Sequence, residues 1–79
     1  MARVLLFGRL SDVAGWRERQ VDSPFLSALR AELSGEDAAL GEALAGKGVQ
    51  VALDQVIVRG DAALNAGTEV AFLPPMSGG

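Results

Sequence analysis

The chain closes with Leu73-Pro74-Pro75-Met76-Ser77-Gly78-Gly79, and no side chain from Val70 onward carries a charge. Gly78 and Gly79 have no Cβ to meet a wall or to shield their own carbonyl groups. The two prolines restrict the backbone and favour an extended path away from a folded body. An end this thin can enter a narrow tunnel and present its α-carboxylate as the reacting group. The chemistry it suits is attack at the terminal carboxyl carbon. Frayed termini also collect small residues, so a Gly-Gly end alone does not decide the matter.

The missing residue types narrow the chemistry further. With no cysteine there is no disulfide, no thiolate nucleophile and no cysteine-bound persulfide. With no histidine there is no Ser-His or Cys-His arrangement and no ordinary zinc site. The acidic residues Asp12, Glu18, Asp22, Glu32, Glu36, Asp37, Glu42, Asp54, Asp61 and Glu69 are spread along the chain. None forms a convincing acid–base pair, so they read as solvated surface, and no metal or bound cofactor is expected. A self-sufficient enzyme is not expected either.

The net charge of −3 and the pI near 4.7 argue against nucleic acid as a partner. The basic residues are scattered rather than clustered. Arg17 and Arg19 share one strand face with Glu18 between them in sequence, which reads as a solvated face. Lys47, the sole lysine, reads as a solubilising charge rather than a conjugation site. Arg3 precedes only the short apolar run Val4-Leu5-Leu6-Phe7, too short for a signal peptide. No stretch approaches the roughly 18 apolar residues of a membrane span. A cytoplasmic protein without membrane contact is expected.

The elements that must position the tail follow from periodicity. Arg3-Val4-Leu5-Leu6-Phe7 is apolar on both alternating sets, a pattern that suits a central strand buried on both faces. Leu10–Ala14 reads as a short helix or turn stopped by Gly15, and Trp16–Val21 as a charged edge strand. Ser23 is the expected N-cap of the main helix, with Pro24 at its first position. Leu26, Leu29 and Leu33 form its apolar face, and Gly35 is expected to end it. A second helical stretch runs from Asp37 through Leu40 and Leu44 to Gly46. Val49–Leu53 and Val56–Val58 read as strands about a tight Asp54-Gln55 turn. Leu64-Asn65-Ala66-Gly67 is a further turn. Glu69–Leu73 is the last strand, mostly apolar and central, with pairing expected to stop at Pro74. The order β-β-α-β-β-β, with hydrophobic strands at both ends, predicts an α+β fold: a mixed sheet with one main helix packed across one face. The domain reading is a body over 1–74 and a flexible tail over 75–79.

With these elements in place the chain resembles the ubiquitin-like β-grasp sulfur carriers, most closely the small subunits of molybdopterin synthase. The resemblance starts at Val4-Leu5-Leu6-Phe7-Gly8 and continues through Leu26-Ala28-Leu29 and Val51-Ala52-Leu53-Asp54-Gln55. Its most specific part is Gly67–Gly79. Asp54 stands where such chains often have asparagine, and Thr68 where they often have aspartate. The resemblance implies that the Gly79 carboxylate, preceded by Gly78, is adenylated by an E1-like activating enzyme using ATP and then becomes a thiocarboxylate. It implies that the tail, with Pro74, Pro75, Met76 and Ser77, enters the large synthase subunit of a heterotetramer. There sulfur passes to a pterin precursor to build the dithiolene. Phe7, Ile57 and Leu73 match positions that line the subunit contact. Because the chain lacks cysteine, only its terminal carboxyl group can carry activated sulfur, and adenylation supplies the leaving group. Related carriers for thiazole, cysteine or tRNA thiolation, a lysine-attached protein modifier and an inert β-grasp module are the alternatives.

Overall fold

The computed structural model describes residues 1–75. Its strands are β1 (Ala2–Leu6), β2 (Glu18–Val21), β3 (Gln50–Leu53), β4 (Val56–Val58) and β5 (Glu69–Leu73). They form one sheet in the order β2-β1-β5-β3-β4. β1 and β5 pair in parallel, and every other neighbouring pair is antiparallel. The helices are α1 (Arg9–Ala14), α2 (Leu26–Glu36) and α3 (Ala38–Leu44), of which α2 is the longest. The fold is α+β, and β1 and β5 are central, as their apolar content predicts.

The core lies between the helices and one face of the sheet. Val4 and Leu6 of β1, Val70 and Phe72 of β5 and Val51 of β3 meet Leu26, Leu29 and Leu33 of α2. Leu10, Leu40 and Leu44 close the same cluster from α1 and α3. Each such side chain, fully buried, contributes about 1.5–3 kcal/mol relative to exposure. The helices leave the second sheet face bare. Arg3 is exposed and Leu5 half-buried, so β1 is buried on one face rather than on both. Its second apolar set faces outward.

Both boundaries of α2 differ from expectation. Ser23 does not cap α2; it is buried, and its hydroxyl donates to Glu32 Oε2 at 2.7 Å. The helix begins at Leu26 behind an extended Phe25, and Pro24 lies before it. The cap comes from far along the chain, where Asp61 accepts from the Ser27 backbone N–H and from the Ser27 hydroxyl, each at 2.8 Å. The segment around it clasps the helix start, since Leu26 N–H donates to Ala62 O and Leu64 N–H to Pro24 O. Gly35 does not end α2 either, because the helix continues to Glu36.

Asp37 ends α2 and begins α3. Its N–H donates to Leu33 O at 3.0 Å, while its carboxylate accepts from Leu40 N–H at 3.2 Å. Replacing an N-cap carboxylate by alanine costs about 1 kcal/mol, so Asp37→Ala should lower the midpoint of thermal unfolding by roughly 4–8 °C. An unchanged midpoint would mean that the cap contributes nothing.

The Asp61 carboxyl titrates below its ordinary value of 3.8, chiefly because it accepts from the Ser27 N–H and next because it accepts from the Ser27 hydroxyl. A carboxyl with a lower pKa folded than unfolded stabilises the fold above its unfolded pKa. That contribution fades as pH falls through the folded value. The stability gap between the wild type and Asp61→Ala should therefore hold steady above about pH 5 and narrow at lower pH. Denaturant midpoints measured from pH 7 to pH 3 check this, and a gap that widens on acidification would contradict it.

Candidate functional site

The site is built where β5 ends. Because β5 lies between β1 and β3, its last residue emerges between the loop after β1 and the loop before β3. Pro74 stops the ladder as expected, with strand structure ending at Leu73. Gly8, in the first loop, has φ 56 and ψ −135, a backbone that favours glycine. Gly48, in the second, has φ 86. A Cβ added at Gly8 would sit 3.0 Å from Pro74 Cγ, and one at Gly48 would sit 2.8 Å from Pro75 Cβ. Two prolines therefore leave the sheet between two glycines. Met76, Ser77, Gly78 and Gly79, which carry most of the expected chemistry, lie outside the described residues.

The bare sheet face begins at this exit. Alternation places Phe7, Leu73 and Gln50 in its first row, since Leu6 pairs with Phe72 and Leu73 with Gln50. Leu5, Ala71, Ala52 and Ile57 form the next row across β1, β5, β3 and β4. Phe7, Ile57 and Leu73 thus share one face, with Ile57 one row further from the tail. Phe7 is 44% and Ile57 45% exposed, whereas Leu73 is half-buried. Leu5, Ala52 and Ala71 complete the patch and were not anticipated. Their signal was the period of two from Phe7 and Leu73. Ala52 and Ala71 are small enough to be shielded by their neighbours, so Phe7 and Ile57 are the most exposed members of this apolar patch.

Charge bounds the patch at the far end. Arg3 donates to Glu69 Oε1 at 2.8 Å and lies 4.0 Å from Glu18. Such exposed pairs contribute about 0–1 kcal/mol, so they mark an edge more than they stabilise the fold. The two turns with unusual residues also lie at this end. Asp54 and Gln55 both have positive φ, as a two-residue hairpin requires. The Asp54 carboxylate accepts from Glu69 N–H at 3.0 Å. Thr68 is buried, and its hydroxyl accepts from Asn65 N–H at 2.9 Å. Both residues hold the start of β5 and neither reaches the tail exit.

Against the helices, Pro75 borders an open groove of about 470 Å³ between α1 and α3, which Arg9, Val13, Glu42 and Lys47 also line. Among the described residues no cluster of histidine, cysteine, aspartate or glutamate is arranged to hold a metal. No helix among them is long and apolar enough to cross a membrane. What the site offers is a terminal strand aimed outward beside an apolar face.

The sequence from residue 4 to residue 79 matches the model of the ThiS family. The chain belongs to the ThiS family. A ThiS-family chain with this sheet is a ubiquitin-like sulfur carrier. It is 33% identical to the molybdopterin synthase sulfur carrier subunit of Escherichia coli (strain K12) over 81 aligned residues, covering 100% of each chain. Its fold superposes on the small archaeal modifier protein SAMP1 of Haloferax volcanii with a TM-score of 0.80, at 29% identity and over 99% of this chain and 98% of that one. SAMP1 of Methanosarcina acetivorans gives a TM-score of 0.86 at 20% identity, covering 99% of this chain and 95% of that one, a likeness of fold alone.

Proposed function

We infer that this ThiS-family chain is the sulfur-donating subunit of a molybdopterin synthase. The observation that carries the reading is the end-to-end similarity to the Escherichia coli subunit of that name. An ATP-dependent activating enzyme joins the Gly79 carboxylate to AMP with release of pyrophosphate. A sulfur nucleophile then displaces AMP, so that a C–S bond replaces the activated C–O bond. The large synthase subunit docks on the apolar patch of Phe7, Leu73 and Ile57 while Pro74, Pro75, Met76 and Ser77 lead Gly78 and Gly79 into its active site. Sulfur passes there to the pterin precursor, and water restores the carboxylate. The apolar patch beside the tail exit supports this division of labour, because one surface can hold the body while the tail reacts.

The test is to incubate the chain with activating enzyme, ATP and a sulfur donor, weigh it, and then add the large subunit and pterin precursor. A gain of about 16 Da, oxygen replaced by sulfur, marks the thiocarboxylate, and its loss with dithiolene formation marks delivery. A chain that gains the mass but delivers no sulfur to the pterin is a carrier for another pathway. The likeness to SAMP1 of Haloferax volcanii favours a second reading, attachment of the chain to lysines of other proteins. Gly79 found in isopeptide linkage to a target lysine would establish it.

A further inference from the structure

We propose that Gly8 and Gly48 are positioning residues that aim the reactive tail by holding Pro74 and Pro75 between them. The proposal rests on the sulfur-carrier reading and adds a mechanical requirement to it. Gly15, Gly60 and Gly67 also have positive φ, from 82° to 84°, and each has nothing within 4 Å of an added Cβ. Turn geometry alone accounts for those three. At Gly8 and Gly48 a Cβ would strike a proline as well, at 3.0 and 2.8 Å. A proline ring is no flexible side-chain end that can swing aside. Relief requires the backbone of the exit to move by about 0.6 Å at Pro75, from 2.8 Å to an ordinary contact of 3.4 Å.

That movement bears on the reaction because both ends of the tail are fixed during transfer. The sheet face holds the body against its partner, and the carboxyl carbon must meet a fixed point. Four residues from Met76 to Gly79 span about 13–14 Å when extended, with little slack to absorb a displaced root. Since a 1 Å misplacement can cost roughly a hundredfold in rate, a shift of about 0.6 Å should cost on the order of tenfold.

The experiment compares full-length Gly48→Ala and Gly8→Ala with Gly67→Ala, which also carries positive-φ strain, at the opposite end of β5 with open space around it. Melting temperatures, turnover of pterin sulfuration and the KM for the carrier are measured for each. All three variants should lose thermal stability, Gly8→Ala and Gly48→Ala more than Gly67→Ala because their added Cβ also meets a proline. Gly67→Ala should turn over within about twofold of wild type, whereas Gly48→Ala and Gly8→Ala fall about tenfold in kcat with KM little changed. A variant that does not fold leaves the other to carry the comparison. Residual dipolar couplings of the Met76 amide, the first N–H after the prolines, give a readout independent of activity. They should change in the Gly8 and Gly48 variants and not in Gly67→Ala. If wild type takes up no sulfur, the carrier reading fails and the couplings alone decide the positioning. If wild type delivers sulfur and all three variants match in kcat and couplings, the positioning role is wrong.

Discussion

Deleting Gly79 is expected to reduce sulfur delivery to the pterin by a hundredfold or more while leaving the body as stable as before. One extended residue spans about 3.3–3.6 Å, so the shortened chain withdraws its carboxyl carbon by that distance. A displacement of 1 Å can already cost roughly a hundredfold, and the loss should be larger here. Adding one residue should harm transfer comparably, because the new carboxylate overshoots and its side chain meets the walls. Among the described residues the core cluster ends at Phe72, so the packing of the body is expected to survive both changes. Thermal melts should coincide with wild type, and single-turnover sulfuration should separate the three chains. Equal delivery by the shortened or lengthened chain would sink the reading of the tail as the reagent.

Leu73→Asp is expected to abolish association with the large subunit without unfolding the chain. Leu73 lies in β5 on the bare face, beside Phe7 and opposite Gln50, and not in the core cluster. Its half-buried position means that the free variant can hydrate the new carboxylate. Docking would strip that water and leave a charge unpaired at an apolar contact, at a cost of several kcal/mol. Each 1.4 kcal/mol is about tenfold in affinity, so a loss of a hundredfold or more follows. Titration calorimetry and a thermal melt of the free variant check the two halves. Unfolding of the free variant would place Leu73 in the core, and undiminished binding by a folded one would remove it from the interface.

Strong local signals made most of this architecture legible before any coordinates. The apolar runs at Val4–Phe7 and Glu69–Leu73 announced central strands, and Asp54-Gln55 announced its hairpin. Gly15 stopped α1 in a left-handed conformation. The misreadings came from distant partners. Ser23-Pro24 has the composition of a helix start, but Asp61, 34 residues beyond Ser27, supplies the cap, and Ser23 turns inward to Glu32. β1 shows why two-sided hydrophobicity is ambiguous, since a face the helices leave bare can have the composition of a buried one. Phe7, Ile57 and Leu73 could be proposed from family resemblance, whereas Leu5, Ala52 and Ala71 needed the strand pairing. The contacts of Gly8 and Gly48 with the prolines were invisible in the sequence, because turn glycines and close-approach glycines are written with the same letter.

The parallel pairing of β1 with β5 also determines how the molecule bears tension. Arg3 pairs with Glu69 and Leu6 with Phe72, so β1 begins at one end of the ladder and β5 leaves from the other. Traction on the tail against the beginning of the chain therefore loads the hydrogen bonds between these strands together, in shear, instead of opening them one at a time. Behind them Phe72 is fully buried in the core. A tail drawn into a tunnel, or a chain hauled by its end, thus pulls on the part of the molecule best built to resist.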